Sequence, residues 1–408
     1  MPAFVRSVTL KNYKSIAACK VELGDLTVLV GPNGAGKSNF VDAINLVGEA
    51  LQTTLDHALR KRGGVKEVRR RSGGHPTHFA IRLDLTLPGG NSARYAIKIG
   101  ATDDGYKVDQ EQATVFRSNI PPTAGNGRLF GEAEAHFSVK DGQVVAAHKR
   151  HEARVLPDSL YLTAVSGTEE FAELHRALSS MGFYNINPDV MREPKKHDRG
   201  LILARDGNNV AGVIKRMERD NHEGLERIGD YIRRIVPGVE RFKHEDLGPV
   251  ETVTFFQNVA GATAPWRFFA SSMSDGTLRA FGVLVAVFQA TGEVPLVGIE
   301  EPEAAIHPGA AAILVDALKE ASRKTQVIVT SHSPEALDYL GDGSATIVAV
   351  NAREGRSDIG PLDPASRTAI QQRLMTAGEL QRQAQIEPDP ASIPEDITQR
   401  DLFERVDA

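Results

Sequence analysis

The apolar, β-branched run Leu26-Thr27-Val28-Leu29-Val30 gives way at once to Gly31-Pro32-Asn33-Gly34-Ala35-Gly36, which predicts a buried strand ending in a glycine-rich turn. Phe40, Ile44 and Val47 then recur at helical spacing, so a helix follows the turn from about Lys37 to Leu51. Two further strands are expected far downstream. One lies in Glu293–Pro302, where an apolar run ends in Glu300-Glu301, and one in Thr325–Pro334, where a β-branched run ends in Ser331-His332. Between the two halves, Phe79 to Leu87 alternates as an antiparallel strand. Turns at Gly63-Gly64, Gly73-Gly74, Gly89-Gly90, Asp104-Gly105 and Asp141-Gly142 carry a β-rich layer to about residue 163. Residues 167–236 read as helical, with Val213, Ile214, Met217, Leu225, Ile228, Ile232 and Ile235 as buried positions. An apolar helix is expected from Leu278 to Gln289, and the segments from 251 to 350 complete a parallel sheet. No sustained heptads and no 20-to-50-residue repeat interrupt this order.

The turn at 31–38 reads G-P-N-G-A-G-K-S and fits the pattern G-x-x-x-x-G-K-[ST] between strand and helix. Glycines let the backbone bend tightly and bring its N–H groups up to phosphate oxygens. Lys37 is placed to reach the β- and γ-phosphates of a nucleotide, Ser38 offers a hydroxyl to Mg²⁺, and the positive end of the following helix faces the anion. At the end of the second strand, Glu300 is assigned to the metal shell and Glu301 to the attacking water. His332 is delivered to the carboxyl end of a strand, where parallel sheets bind ligands, and is read as a γ-phosphate sensor. Ser274-Asp275-Gly276-Thr277 forms a small polar loop opening the Leu278–Gln289 helix.

With these segments in this order, the chain resembles an ATP-binding-cassette-type P-loop ATPase of the RecF and SMC kind, and within it the single-chain predicted AAA ATPases related to the ATPase half of OLD nucleases. The resemblance identifies Ser274–Thr277 with the signature motif, Glu300-Glu301-Pro302 with Walker B, Ala304–His307 with the D-loop and His332 with the switch histidine. It extends to Leu10–Ser15, Asp206–Val210 and Thr376–Leu380. It implies nucleotide contacts from Asn33, Gly34, Ala35, Gly36, Lys37, Ser38, Asn39 and Lys14, and from Ser274, Gly276 and Thr277. The catalytic residues it implies are Lys37, Glu301 and His332, and the Mg²⁺ ligands Ser38 and Glu300. Two departures stand out. Glu300 occupies a position usually held by Asp, one methylene shorter, which favours coordination through water. No clear Q-loop glutamine precedes the signature; Gln110 and Gln112 lie in the right broad interval and are equally surface residues.

The expected fold class is α/β, an ABC-ATPase-like head with a parallel core sheet, an antiparallel β layer and a helical lobe carrying the signature motif. The expected divisions are 1–166 and 251–360 for the two parts of the ATPase core, 167–250 for the lobe and 361–408 for an acidic, partly flexible extension. An apolar fraction of 41% over 408 residues supplies a sizeable core. The lack of a long apolar stretch or a signal-like start predicts a cytoplasmic protein without membrane contact. One cysteine, Cys19, excludes intrachain disulfides and a zinc hook, and its apolar setting predicts burial. A net charge of −5 limits nucleic-acid contact to a local patch. The basic run of Arg60, Lys61, Arg62, Lys66, Arg69, Arg70 and Arg71 is open to three readings: a solvated helix face, a DNA or RNA backbone contact, or a partner contact. The tail from Ile386 to Ala408 is either disordered or a docking segment for a partner.

Together these features predict an ATPase that uses ATP and Mg²⁺ and homodimerises around two ATP molecules. The resemblance implies a DNA-associated task in repair or antiphage defence; the alternative is an ATP-gated scaffold for a separate nuclease or toxin. The stretch after the last strand is expected to be too short for an appended nuclease domain, which points to a separate effector protein.

Overall fold

The computed structural model describes residues 3–72, 76–103, 105–117, 133–147, 154–156, 158–289, 294–340 and 343–403. The expected turn at Gly73-Gly74, Asp104, Glu293 and the last five residues of the tail lie outside them. A 13-stranded sheet runs through the molecule. Its centre is parallel: Gly182–Tyr184, Leu296–Glu300, Gln326–Ser331, Leu26–Val30 and Thr346–Arg353 lie side by side in that order. Leu26–Val30 is buried at every position, as an apolar, β-branched strand with neighbours on both sides and helices on both faces must be.

Arg356–Pro361 turns back antiparallel and pairs in parallel with Ile16–Glu22 through Ser357 and Ile16. From there the sheet continues antiparallel through Phe4–Tyr13, His78–Thr86, Ser92–Thr102, Gly105–Phe116, Ala133–Lys140 and Gln143–Ala147. The expected antiparallel layer is therefore an extension of the core sheet. The N-terminal hairpin supplies the hydrogen-bonding edge that joins them.

The interval 167–236 departs from its helical reading. Glu169–Ser179 is helical but packs against the Lys37–Gln52 helix, and Gly182–Tyr184 is the edge strand of the core sheet. The lobe proper follows, with helices Val210–Asp220 and His222–Ile235 on a second, four-stranded antiparallel sheet. In that sheet Val250–Gln257 pairs with Val239–Leu247 along one edge, and with Lys195–Lys196 and Trp266–Phe269 along the other. The strand expected at 251 in the parallel sheet thus belongs to the lobe, and the lobe reaches past residue 250 to Phe269. Periodicity hid this sheet, because Val239–Leu247 carries charged residues at five of its positions and its inward face meets only one layer of helices.

Cys19 is fully buried, and burial pushes its thiol up to about 12, so it is an inert core residue. The basic run is consumed internally. Arg62, 5% exposed, bonds Asp42 at 2.8 Å and Glu49 at 2.7 Å; Lys61 bonds Glu49, Arg60 bonds Asp56, and Arg71 bonds Glu67. Four of the seven cations are thereby paired with acids, which removes most of the charge that suggested a nucleic-acid contact here. Gln110 meets Gln399 and Gln112 is buried in the antiparallel extension opposite Ala96, so neither stands at the carboxyl edge of the parallel strands.

The described part of the tail is packed rather than free. Ile397, Leu402 and Phe403 close a small core with Ala18, Ala80 and Ala96, and Ile386 is buried beside the lobe-side core. Lys11 reaches Asp396 at 2.9 Å, and Arg353 reaches Glu387 at 2.5 Å. Each such apolar side chain contributes about 2 kcal/mol of burial. Truncation after Gln385 is therefore expected to lower the thermal midpoint by roughly 5 °C or more, read by differential scanning calorimetry. An unchanged midpoint would restore the flexible-tether reading.

Candidate functional site

The parallel strands end at one level. Glu300 pairs with Thr330, and Ser331 pairs with Val30, so the loops after all three strands leave the same carboxyl edge. The 31–36 loop needs its glycines for packing. A Cβ on Gly31 would stand 1.9 Å from the Val350 carbonyl, and one on Gly36 2.1 Å from the Ser357 hydroxyl. Gly36 at φ 109 opens the Lys37–Gln52 helix without a side-chain cap, which leaves its first N–H groups available to an anion. Asn33, Gly34 and Ser38 are exposed in the loop, whereas Ala35 is buried beneath it.

Lys37 folds back over this loop, donating to the Gly31 carbonyl at 2.7 Å and the Pro32 carbonyl at 3.0 Å. Burial lowers its pKa, and the charges of Glu301 and Glu303 oppose that shift. Asn39 donates to Ser15 at 2.7 Å, and Ser15 bonds Ser357 at 2.7 Å, tying the helix to the N-terminal hairpin. Lys14 is turned onto Asp42, 2.5 Å away, on the same helix.

Glu301 lies just past its strand in left-handed backbone, φ 45, a conformation costing about 1–2 kcal/mol in a non-glycine residue. Its N–H is held by the Thr330 carbonyl at 3.1 Å and the Thr330 hydroxyl at 3.2 Å. Its carboxylate meets His332 Nδ1 at 3.1 Å. Lys37, Glu301 and His332 are thus brought together. Glu300 instead points to Arg205, 2.9 Å away on the segment after the edge strand.

Glu303 was given no part on sequence grounds. The turn after Glu301 swings it back so that the Ser331 hydroxyl donates to its Oε1 at 2.6 Å, while its Oε2 is buried without a hydrogen-bond partner among the described residues. The third acid of E-E-P-E was the available signal. Arg205 and Asn185 carried none. The latter directly follows Tyr184, which pairs with Ile299, so it stands at the level of Glu300. Both line an open cleft of about 670 Å³ that also contains Lys61 and Arg279.

The Ser274–Thr277 loop, expected to be the signature motif, begins the Asp275–Phe288 helix. Ser274 caps it, accepting from the Thr277 N–H at 3.2 Å with the two hydroxyls 2.8 Å apart, and Asp275 is held by Arg192. Gly276 abuts the Ala305 carbonyl, where a Cβ would come within 2.6 Å, so the signature and D-loop segments are packed as one unit. His307 caps the Pro308–Ser322 helix by accepting from Gly309 N–H.

The glycine cradle, uncapped helix N-terminus and lysine form a donor set suited to a polyphosphate, and Ser38 with Glu300 offers oxygens suited to Mg²⁺. Fold and site define a P-loop ATPase. Two family profiles match the chain: "AAA domain, putative AbiEii toxin, Type IV TA system" over residues 185–338 and "AAA ATPase domain" over residues 4–116. These matches support an ABC-type AAA ATPase of the RecF/SMC/OLD-like kind.

The Retron Ec83 probable ATPase of Escherichia coli is 20% identical over 384 residues, covering 81% of this chain and 69% of that protein. The chromosome partition protein Smc of Desulfitobacterium hafniense is 53% identical over 49 residues, 12% of this chain and 4% of the relative. A second Smc, from Clostridium kluyveri, is 28% identical over 219 residues; the chain spans only 14% of its length. In fold, the chain is similar to an Smc head solved bound to the C-winged helix domain of ScpA, with a TM-score of 0.53 at 14% identity, covering 89% of this chain and 99% of that one. Among the described residues no helix is long and apolar enough to cross a membrane.

Proposed function

We propose that the chain binds ATP on residues 31–39 and hydrolyses it in a homodimer, with Ser274, Gly276 and Thr277 of a second copy facing the γ-phosphate. The convergence of Lys37, Glu301 and His332 at one sheet edge carries this reading. Lys37 exchanges the Gly31 and Pro32 carbonyls for phosphate oxygens. Ser38 and Glu300 would hold Mg²⁺, which would supply positive charge beside the phosphates; Glu300 would have to leave Arg205 to do so. Glu301 accepts a proton from water as the water oxygen bonds to the γ-phosphorus and the bond to the β-bridging oxygen breaks, releasing ADP and phosphate. His332 orients that carboxylate and meets the γ-phosphate. The exposed Ser274 cap supports the shared site, because a helix N-terminus with an exposed hydroxyl at its cap favours ATP over ADP across a dimer interface.

The shared site has a mixing test. Lys37→Ala and Ser274→Arg each lose ATPase activity, and a mixture is expected to regain part of it, since one composite site then holds neither substitution. No recovery at any ratio would remove the sandwich.

We further propose that closing and opening of this dimer serve a DNA-associated task in repair or antiphage defence, a reading supported by the names of the Smc and retron relatives. The alternative, a scaffold that gates a separate effector, is favoured by the internal pairing of the basic run and by the partner-bound Smc head. DNA-stimulated ATPase activity that falls steeply with salt would select the first.

A further inference from the structure

Away from the nucleotide edge, the lobe sheet gathers two imidazoles and two carboxylates at its hairpin end. His197 follows the Lys195–Lys196 strand, His244 and Asp246 lie on Val239–Leu247, and Glu251 lies on Val250–Gln257. His197 Nδ1 is 3.2 Å from Glu251 Oε2 and 3.5 Å from Asp246 Oδ1. His244 Nε2 is 3.0 Å and 3.6 Å from the same two oxygens. The ligand atoms of His197, Asp246 and Glu251 all lie within 4.8 Å of one another, near the separation of about 3.3–3.4 Å between ligand atoms on a tetrahedral ion with bonds of about 2.0–2.1 Å.

The surroundings orient the atoms for that use. His197 Nε2 stands 2.9 Å from the Gly248 carbonyl, which can only accept, so Nε2 carries a proton; when the ring is neutral its Nδ1 lone pair faces the two carboxylates. Glu251, almost fully buried, has its other oxygen satisfied by the Asp198 N–H at 3.0 Å. Two carboxylates and the inward His197 nitrogen favour positive charge at their centre. One divalent ion supplies it for both acids; the competing arrangement is a protonated His197, assisted by Lys215 at 3.4 Å from Asp246.

We propose that His197, Asp246 and Glu251 form a binding site for a single divalent transition ion of the zinc class, with His244 bonded to Glu251 at its margin. The nitrogen and carboxylate donors select such an ion over Mg²⁺ or Ca²⁺, which prefer all-oxygen shells. His197 and Asp246 are exposed and give the ion a path of entry. Its role is a clasp. It fastens the segment after residue 196 to the lobe hairpin. Asp198 in that segment accepts from Asn209 Nδ2 at 3.0 Å, Asn209 accepts from the Ala204 N–H at 2.7 Å, and the next residue, Arg205, holds Glu300. The clasp therefore steadies the arginine that holds the proposed Mg²⁺ ligand, although ion binding itself does not depend on the ATPase reading.

The test uses full-length protein stripped with a chelator and free of nucleotide, titrated with Co²⁺ as a spectroscopic probe and then with Zn²⁺. The expected result is one equivalent of Co²⁺ with the intense visible bands of a tetrahedral nitrogen and oxygen site, displaced by Zn²⁺, and a Zn²⁺-dependent rise in thermal midpoint. His197→Asn and Asp246→Asn alter exposed side chains and leave the fold intact; each is expected to weaken Co²⁺ binding at least tenfold and abolish the bands. Glu301→Gln is expected to retain them. Absence of saturable binding in the unaltered protein, or bands that survive both substitutions, would overturn the site and leave a protonated His197.

Discussion

Glu301→Gln is expected to leave ATP affinity within a few-fold of the unaltered protein and to slow hydrolysis by about 10²–10⁴, the usual contribution of a positioned general base. The amide keeps the size and the left-handed backbone of Glu301, whose N–H remains on Thr330, so the loop geometry survives. What goes is the basic oxygen: an amide accepts no proton from water at neutral pH. His332, 3.1 Å from that carboxylate, loses its carboxylate partner as well. Binding outlasts turnover, so the variant should accumulate an ATP-bound dimer on gel filtration with ATP and Mg²⁺. Steady-state phosphate release measures the first effect. Turnover within tenfold of the unaltered protein would move the base to another residue, for which Glu303, bonded to Ser331 in the same turn, is the nearest acid.

The parts of this site that could be read from sequence are those where local pattern and global position coincide. Leu26–Val30 is buried at all five positions, so an apolar, β-branched run was a faithful sign of a central parallel strand, and the loop after it had to lie at the sheet's carboxyl edge. Glu300-Glu301 and Ser331-His332 were legible for the same reason. Gly182–Tyr184 was not: three residues carry no period, and their place beside Leu296–Glu300 is decided by a pairing across more than a hundred residues. Arg205 reaches Glu300 only because that edge strand exists. Glu303 owes its position to the backbone at Glu301, whose positive φ no composition rule anticipates. The tail misled for a related reason. Its acids and prolines resemble a disordered segment, yet Ile397, Leu402 and Phe403 find a patch of alanines small enough to admit them.

Lys37→Ala is expected to lower ATP affinity by about 10²–10³, through two losses that add. The first is direct: charge-assisted hydrogen bonds to phosphate oxygens contribute about 1.5–3 kcal/mol each, and Lys37 is the cation placed at the head of this helix to make them. The second is electrostatic. The Lys37 ammonium interacts with the charges of Glu301 and Glu303, which oppose the lowering of its pKa by burial. Removing it leaves two acids unscreened beside the position of the γ-phosphate, so ATP should suffer more than ADP. The fold has little to lose, since the ammonium bonds only the Gly31 and Pro32 carbonyls, and Pro32 is exposed to water. Calorimetric titration with ATP and with ADP, alongside a thermal melt, separates these effects. A fall of similar size for both nucleotides would confine Lys37 to the β-phosphate, and ATP affinity within tenfold of the unaltered protein would remove it from the phosphates altogether.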